Sequence, residues 1–196
     1  IIIDLSLTKI SESDLPAKCE FDGFLVDAYS WNDINGTNYF IRSITEIAFG
    51  EESGESTDES WTSYGSQSLY AYHFVENRKG EIEEMRKVQD NIDMCEFDLK
   101  MSHEINSLSI TDIDEDSLAE ISFVYRLTCT SDVSPSTQKL LLLENGDKYI
   151  LRGSTQVMGM GGEFEKDESF DNAPAGFLGH CESLWAKHLT EYDFEM

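Results

Sequence analysis

"QKLLLLENGDKYILRGS", residues 138–154, is an apolar run, a polar break and a second apolar run. The break contains Asn145-Gly146, the pair that tolerates positive φ at both central positions of a tight hairpin turn. Both arms are short and rich in strand-forming residues, so the segment reads as two antiparallel strands joined by two residues. That reading sets the pattern for the rest of the chain.

The same pattern recurs upstream. "AEISFVYRLTC", residues 119–129, places Ile121, Phe123, Tyr125 and Leu127 on one side of a strand. "NIDMCEFDLKMSHEINSLSITDID" alternates through Phe97, Leu99 and Met101, then through Leu108 and Ile110. "LYAYHFVENRKGEIEEMRKVQD" predicts a hairpin with strands at Leu69–Val75 and Ile82–Val88. "FLVDAYSW", "NDING" and "TNYFIRSITEIAF" give another, turning between Trp31 and Tyr39. Leu7 to Gly23 is an irregular lead-in in which Pro16 forbids a long helix.

The period changes once. Phe177, Cys181, Leu184, Trp185, His188, Leu189 and Tyr192 recur at helical spacing, with Pro174 suited to the first turn and Asp171 or Asn172 to the cap. The expected fold is therefore mainly β (a β-rich α+β chain). It is a meander of antiparallel hairpins with one amphipathic helix at 172–192 laid on the sheet. The 196 residues fit a single domain.

Thirty-nine Asp and Glu face 14 Lys and Arg, a formal net charge of -25. Such a surface repels nucleic acid and anionic membranes, which are gripped through Lys and Arg. It attracts cations and basic proteins. "GEESGESTDESWTSYGSQS", residues 50–68, reads as an acidic flexible loop, and Glu51, Glu52, Glu55, Asp58, Glu59 and Trp61 are its candidate partner-binding residues. No run of about 18 apolar residues exists to form a spanning helix. The four cysteines form no C-x-x-C pair and fit a reducing cytoplasm, with a periplasmic location if a leader precedes Ile1. A Cys95–Cys129 disulfide requires their strands to be neighbours.

Chemistry concentrates in "SITDIDEDSLAEISFVY", residues 109–125. Asp112, Asp114, Asp116 and Glu120 stand at positions 1, 3, 5 and 9 of a loop, and the Leu118 carbonyl offers one more oxygen. Calcium takes six to eight oxygens near 2.4 Å, so calcium is the cofactor this spacing suits. Position 6 is Ser117, where a sharp turn favours Gly. The competing reading is an acidic hairpin turn whose aspartates bind their own backbone. Asp33, Asn35 and Asn38 form a similar but less charged turn in which no ion is expected. His73, alone among apolar residues, reads as structural. The chain has no G-x-S-x-G, P-loop or H-E-x-x-H motif, and "MGMGGEF" lacks the nucleotide-binding glycine spacing.

The acidic loop resembles the calcium loops of FG-GAP repeats. A second resemblance spans about residue 10 to residue 190. It rests on "WNDINGTN" (31–38), "LYAYH" (69–73), "CEFD" (95–98), "ITDID" (110–114), "CTSDVSPSTQK" (129–139) and "KYILRG" (148–153). These phrases resemble a poorly characterised bacterial surface polysaccharide biosynthesis family, with departures at Thr130, Ser131 and Ser117. The resemblance implies a role in envelope polysaccharide production and carries over no catalytic residue. Size and acidity also resemble the immunity proteins that neutralise basic secreted toxins. The residues themselves point to a non-enzymatic binding protein for a basic protein partner, with no nucleic acid and no membrane insertion.

Overall fold

The computed structural model describes residues 5–53 and 61–191. It is mainly β, with 54% of residues in strands and 13% helical. Strands β1 (Thr8–Ile10), β2 (Phe24–Asn32), β3 (Thr37–Ile44), β4 (Ala48–Ser53), β5 (Trp61–Glu76) and β6 (Ile82–Cys95) make the first sheet. β5 is its spine. β3 and β4 lie end to end along one edge, from Thr37 opposite Glu76 to Ser53 opposite Trp61, and β6 runs along the other.

The second sheet repeats this device. It contains β7 (Asp98–His103), β8 (Ser109–Thr111), β9 (Glu120–Thr130), β10 (Thr137–Glu144), β11 (Asp147–Ser154) and β14 (Phe164–Lys166). β7 and β8 share one edge of β9, and β10 and β11 follow on the other side. β12 (Gln156–Val157) and β13 (Met160–Gly161) form a short ribbon. The opening hairpin is as its sequence dictates: Glu144 pairs with Asp147, and Asn145 and Gly146 have φ of 43° and 87°.

The two sheets face each other across one core. Trp31, Phe40, Leu69, Ala71 and Val88 of the first meet Met101, Ile121, Phe123, Tyr125, Leu141 and Ile150 of the second. Burying a side chain such as Phe123, 0% exposed, stabilises by about 1.5–3 kcal/mol. The outer face of the first sheet carries Ala28, Ile41, Tyr70, Tyr72 and Phe74 and is covered by Ile10, Leu15 and Phe21 of the lead-in segment. The outer face of the second carries Val124, Leu140, Leu142 and Leu151 and is covered by helix α1 (Phe177–Lys187).

The helix buries Phe177, Cys181, Leu184 and Trp185, the stripe its spacing predicts. It is shorter than the expected 172–192. Glu168–Asn172 forms a 3-10 turn capped by Asp167, whose side chain accepts from the Ser169 N–H. Pro174 disfavours helical geometry at Ala173, which is extended at φ -67°, ψ 151°. Neither Asp171 nor Asn172 caps the helix. Gly176 does, at φ 98°, and a Cβ there would stand 2.7 Å from Ile113. Tyr192 lies outside the described residues.

The expected loop at 50–68 is mostly strand. β4 and the first half of β5 pair from Ala48–Ser66 to Ser53–Trp61. The polar composition hides this ladder because backbone pairing needs no apolar side chains. The buried half of β5 (Leu69–Val75) extends directly into the polar half.

One buried charge crosses the sheets. Arg42, 0% exposed, donates from Nε and Nη2 to the two carboxylate oxygens of Asp27 at 2.8 and 2.6 Å. Its Nη1 and Nη2 also donate to the carbonyls of Glu104 and Ile105 beyond β7, at 3.0 and 3.4 Å. At the far end of β9, a disulfide joins Cys95 of β6 to Cys129, Cα to Cα 5.8 Å. Cys19 and Cys181 are free and buried, and burial pushes their thiols up to about 11 and about 12.

Candidate functional site

The β8–β9 ladder closes at Thr111 opposite Glu120, so residues 112–119 form the turn between two strands. Glu115 and Ser117 have φ of 61° and 81°. Ser117 thus takes the conformation that glycine was expected to supply. Local bonds hold the turn. Asp112 Oδ1 accepts from the Ser117 N–H at 3.4 Å, Asp114 Oδ1 from Asp116 at 3.3 Å, and Asp116 Oδ1 from Leu118 at 2.7 Å. The turn is also tied to the first sheet. The Ile34 N–H donates to the Ser117 carbonyl at 3.2 Å, and the Ala119 N–H donates to Asp33 Oδ2 at 3.3 Å.

Carboxylates gather here in two overlapping trios. One oxygen each from Asp112, Asp114 and Asp116 lie within 4.8 Å of one another. The same holds for Asp114, Glu120 and Glu144. Glu120 is 0% exposed and is oriented by Thr111 Oγ1 at 2.8 Å and the Ile113 N–H at 3.0 Å. Burial, first, raises its carboxyl above the usual range, against those hydrogen bonds. Glu144 was missed in the sequence. It ends β10 in phase with Leu140 and Leu142, so its side chain points to the helix-covered face. An acid at a buried phase of an apolar strand was the available signal. Burial, then Asp114, Asp116 and Glu120 beside it, push its carboxyl up to about 8.

Other candidates are placed differently. Glu51, Glu52 and Trp61 belong to the β4–β5 ladder, at the opposite end of β5 from the turn that packs on Gly36. Glu55, Asp58 and Glu59 lie outside the described residues. Asp33 Oδ1 accepts from the Asn35 N–H at 2.9 Å, Asn35 donates to Asn145, and Asn38 Oδ1 meets His73 Nε2 at 2.8 Å. These three polar groups therefore have protein partners. Beside them opens a cleft of about 380 Å³ lined by Asn35, Asn77, Glu81, Glu83, Met85 and Asn145.

The histidines serve the interior. His73 stacks on Trp31 with ring centroids 5.4 Å apart, and His103 Nε2 lies 3.2 and 3.1 Å from the Ser43 and Tyr70 carbonyls. Two carbonyl neighbours require Nε2–H as donor. Burial lowers both rings to about 4. Ser122 Oγ and His180 Nε2 lie 2.9 Å apart, a nucleophile–base distance. Ser122 is 1% exposed, so a substrate carbonyl cannot reach it in this packing.

Comparison with protein-family models, with curated proteins and with solved structures yields no match. The resemblance to a surface polysaccharide family rests on the quoted phrases alone. Among the described residues no helix is long and apolar enough to cross a membrane.

Proposed function

We propose that the protein is a non-enzymatic binding module that pairs with a basic protein, in the manner of an inhibitor or immunity protein. One observation carries this reading: the acidic charge is not neutralised internally. Among the described residues, ion pairs engage only Asp22, Asp27, Asp90, Glu104, Asp167, Asp171 and Glu191. The chain holds 39 acidic residues against 14 basic ones, so internal pairing leaves a net charge of -25 without compensation. Carboxylates displayed on turns of a rigid sandwich steer a cationic partner and speed its arrival.

The test is association with the product of the neighbouring gene, measured at rising ionic strength. The association rate constant is expected to fall at least about tenfold between low and high salt. Glu51→Lys with Glu52→Lys is expected to slow association further without changing the fold. A bound complex whose rate ignores both salt and charge reversal overturns the reading.

The disulfide favours a second reading, about location. Disulfides persist in oxidising compartments, which supports a site outside the reducing cytoplasm. Reduction of the Cys95–Cys129 bond is expected to lower stability by about 2–4 kcal/mol. Thiol titration of the unfolded, unreduced protein should find two thiols, from Cys19 and Cys181. Finding four in protein purified from its native compartment rules this reading out.

A further inference from the structure

The acidic turn differs from an ordinary Asx-bonded hairpin in one respect. Glu144 arrives from β10, outside the turn, and places a carboxylate oxygen within 4.8 Å of oxygens from Asp114 and Glu120. Glu144 is 8% exposed, and its Oε1 has no hydrogen-bond partner. No ion pair among the described residues reaches Glu120 or Glu144. The fold thus drives a buried carboxyl, one oxygen of which has no partner, against two other carboxyls. A buried polar group with no partner is costly, and a cluster of like charges more so. A cation among them turns each of those acceptors into a ligand.

We infer that Asp114, Glu120 and Glu144 form a calcium site that ties the end of β10 to the β8–β9 turn. Three observations fit the ion. All donors are carboxylate oxygens, which select hard cations. Oxygens that share one calcium at about 2.4 Å lie within about 4.8 Å of each other, the spacing present here. Glu120 is already oriented by Thr111 and Ile113, and its Oε1, which accepts one hydrogen bond, keeps a lone pair free for a metal. Asp112 and Asp116 share the outer side through Asp114 and add negative charge close to the ion. Magnesium suits the site less, because it demands a tighter octahedron and keeps its waters. The inference does not depend on the proposed partner.

Thermal unfolding of the intact chain tests it. After exhaustive chelation, calcium chloride is added, with magnesium chloride at equal concentration in parallel. Calcium at about a hundred times its dissociation constant should raise the midpoint by about 5–10 °C, and magnesium by clearly less. Glu144→Gln removes charge repulsion as well as a ligand. The variant should therefore fold at least as stably as the chelated parent and lose the calcium response. Asp114→Asn, on the half-buried part of the turn, should weaken the response, and Glu51→Gln should leave it intact. Three results overturn the site: no calcium shift at 10 mM, an equal magnesium shift, or a full calcium shift in Glu144→Gln.

Discussion

Replacing Arg42 with methionine should lower the stability of the fold by about 3–5 kcal/mol. The guanidinium is 0% exposed and uses its planar fork on both oxygens of Asp27, itself 3% exposed. Methionine fills comparable space but leaves the Asp27 carboxylate buried without its counter-charge. It also removes the donors that reach the Glu104 and Ile105 carbonyls across the sandwich. The double change Arg42→Met with Asp27→Leu should recover much of the loss, because an apolar pair of similar volume needs no compensation. Urea denaturation of the three proteins decides the matter. A single variant within about 1 kcal/mol of the parent means that the buried pair is not what joins the sheets here.

Acid should unfold the protein through His73 and His103. Both rings are neutral in the folded state, lowered to about 4 by burial, with the Arg42 charge adding to the effect at His103. Their Nδ1 atoms are buried without hydrogen-bond partners, so nothing receives the added proton. Above pH 6.5 the rings are neutral in folded and unfolded chains alike. Between pH 6.5 and about 4 the unfolded chain takes up protons that the folded chain refuses, and stability falls. The loss approaches about 3 kcal/mol for each histidine. Glu144 acts in the opposite sense. Its folded carboxyl titrates at about 8 against 4.5, so in chelated protein stability falls as pH rises through that interval. The histidine contribution is isolated by comparing slopes. Between pH 6.5 and 4, His73→Gln and His103→Gln should each show a shallower decline than the parent, whatever packing they lose at neutral pH. Parallel slopes would falsify the assignment.

The hairpins were legible because each declares itself locally. Asn145-Gly146 has one comfortable geometry, and Ile121, Phe123 and Tyr125 keep the two-residue period of a strand. The β4–β5 ladder was not legible, since residues 50–68 offer no apolar face and their pairing is backbone chemistry. Pro174 was ambiguous in sequence: it can open a helix or forbid the residue before it, and here Ala173 shows the second. The acidic turn was legible as strand, turn and strand. The buried meeting of Glu120 with Glu144 was not, because Glu144 lies 24 residues beyond Glu120 in sequence and meets it only through the pairing of β9 with β10. Arg42 was equally silent, since a lone arginine in a strand reads as a solvated residue until Asp27 is seen opposite.

The sandwich is fastened at two ends by unlike chemistry. β9 carries Glu120 at one end and Cys129 at the other, roughly 30 Å apart along the strand. Oxidation joins the two sheets at the second end, and the proposed calcium would brace the turn at the first. A reducing, calcium-poor cytosol would leave both open, whereas an oxidising, calcium-rich exterior would close both. The same polypeptide would then be pliable on one side of a membrane and stiff on the other. No enzyme, chaperone or cleavage is needed for that change: the composition of the medium would set whether the two sheets are joined at one end and how stiff the second sheet's acidic turn is at the other.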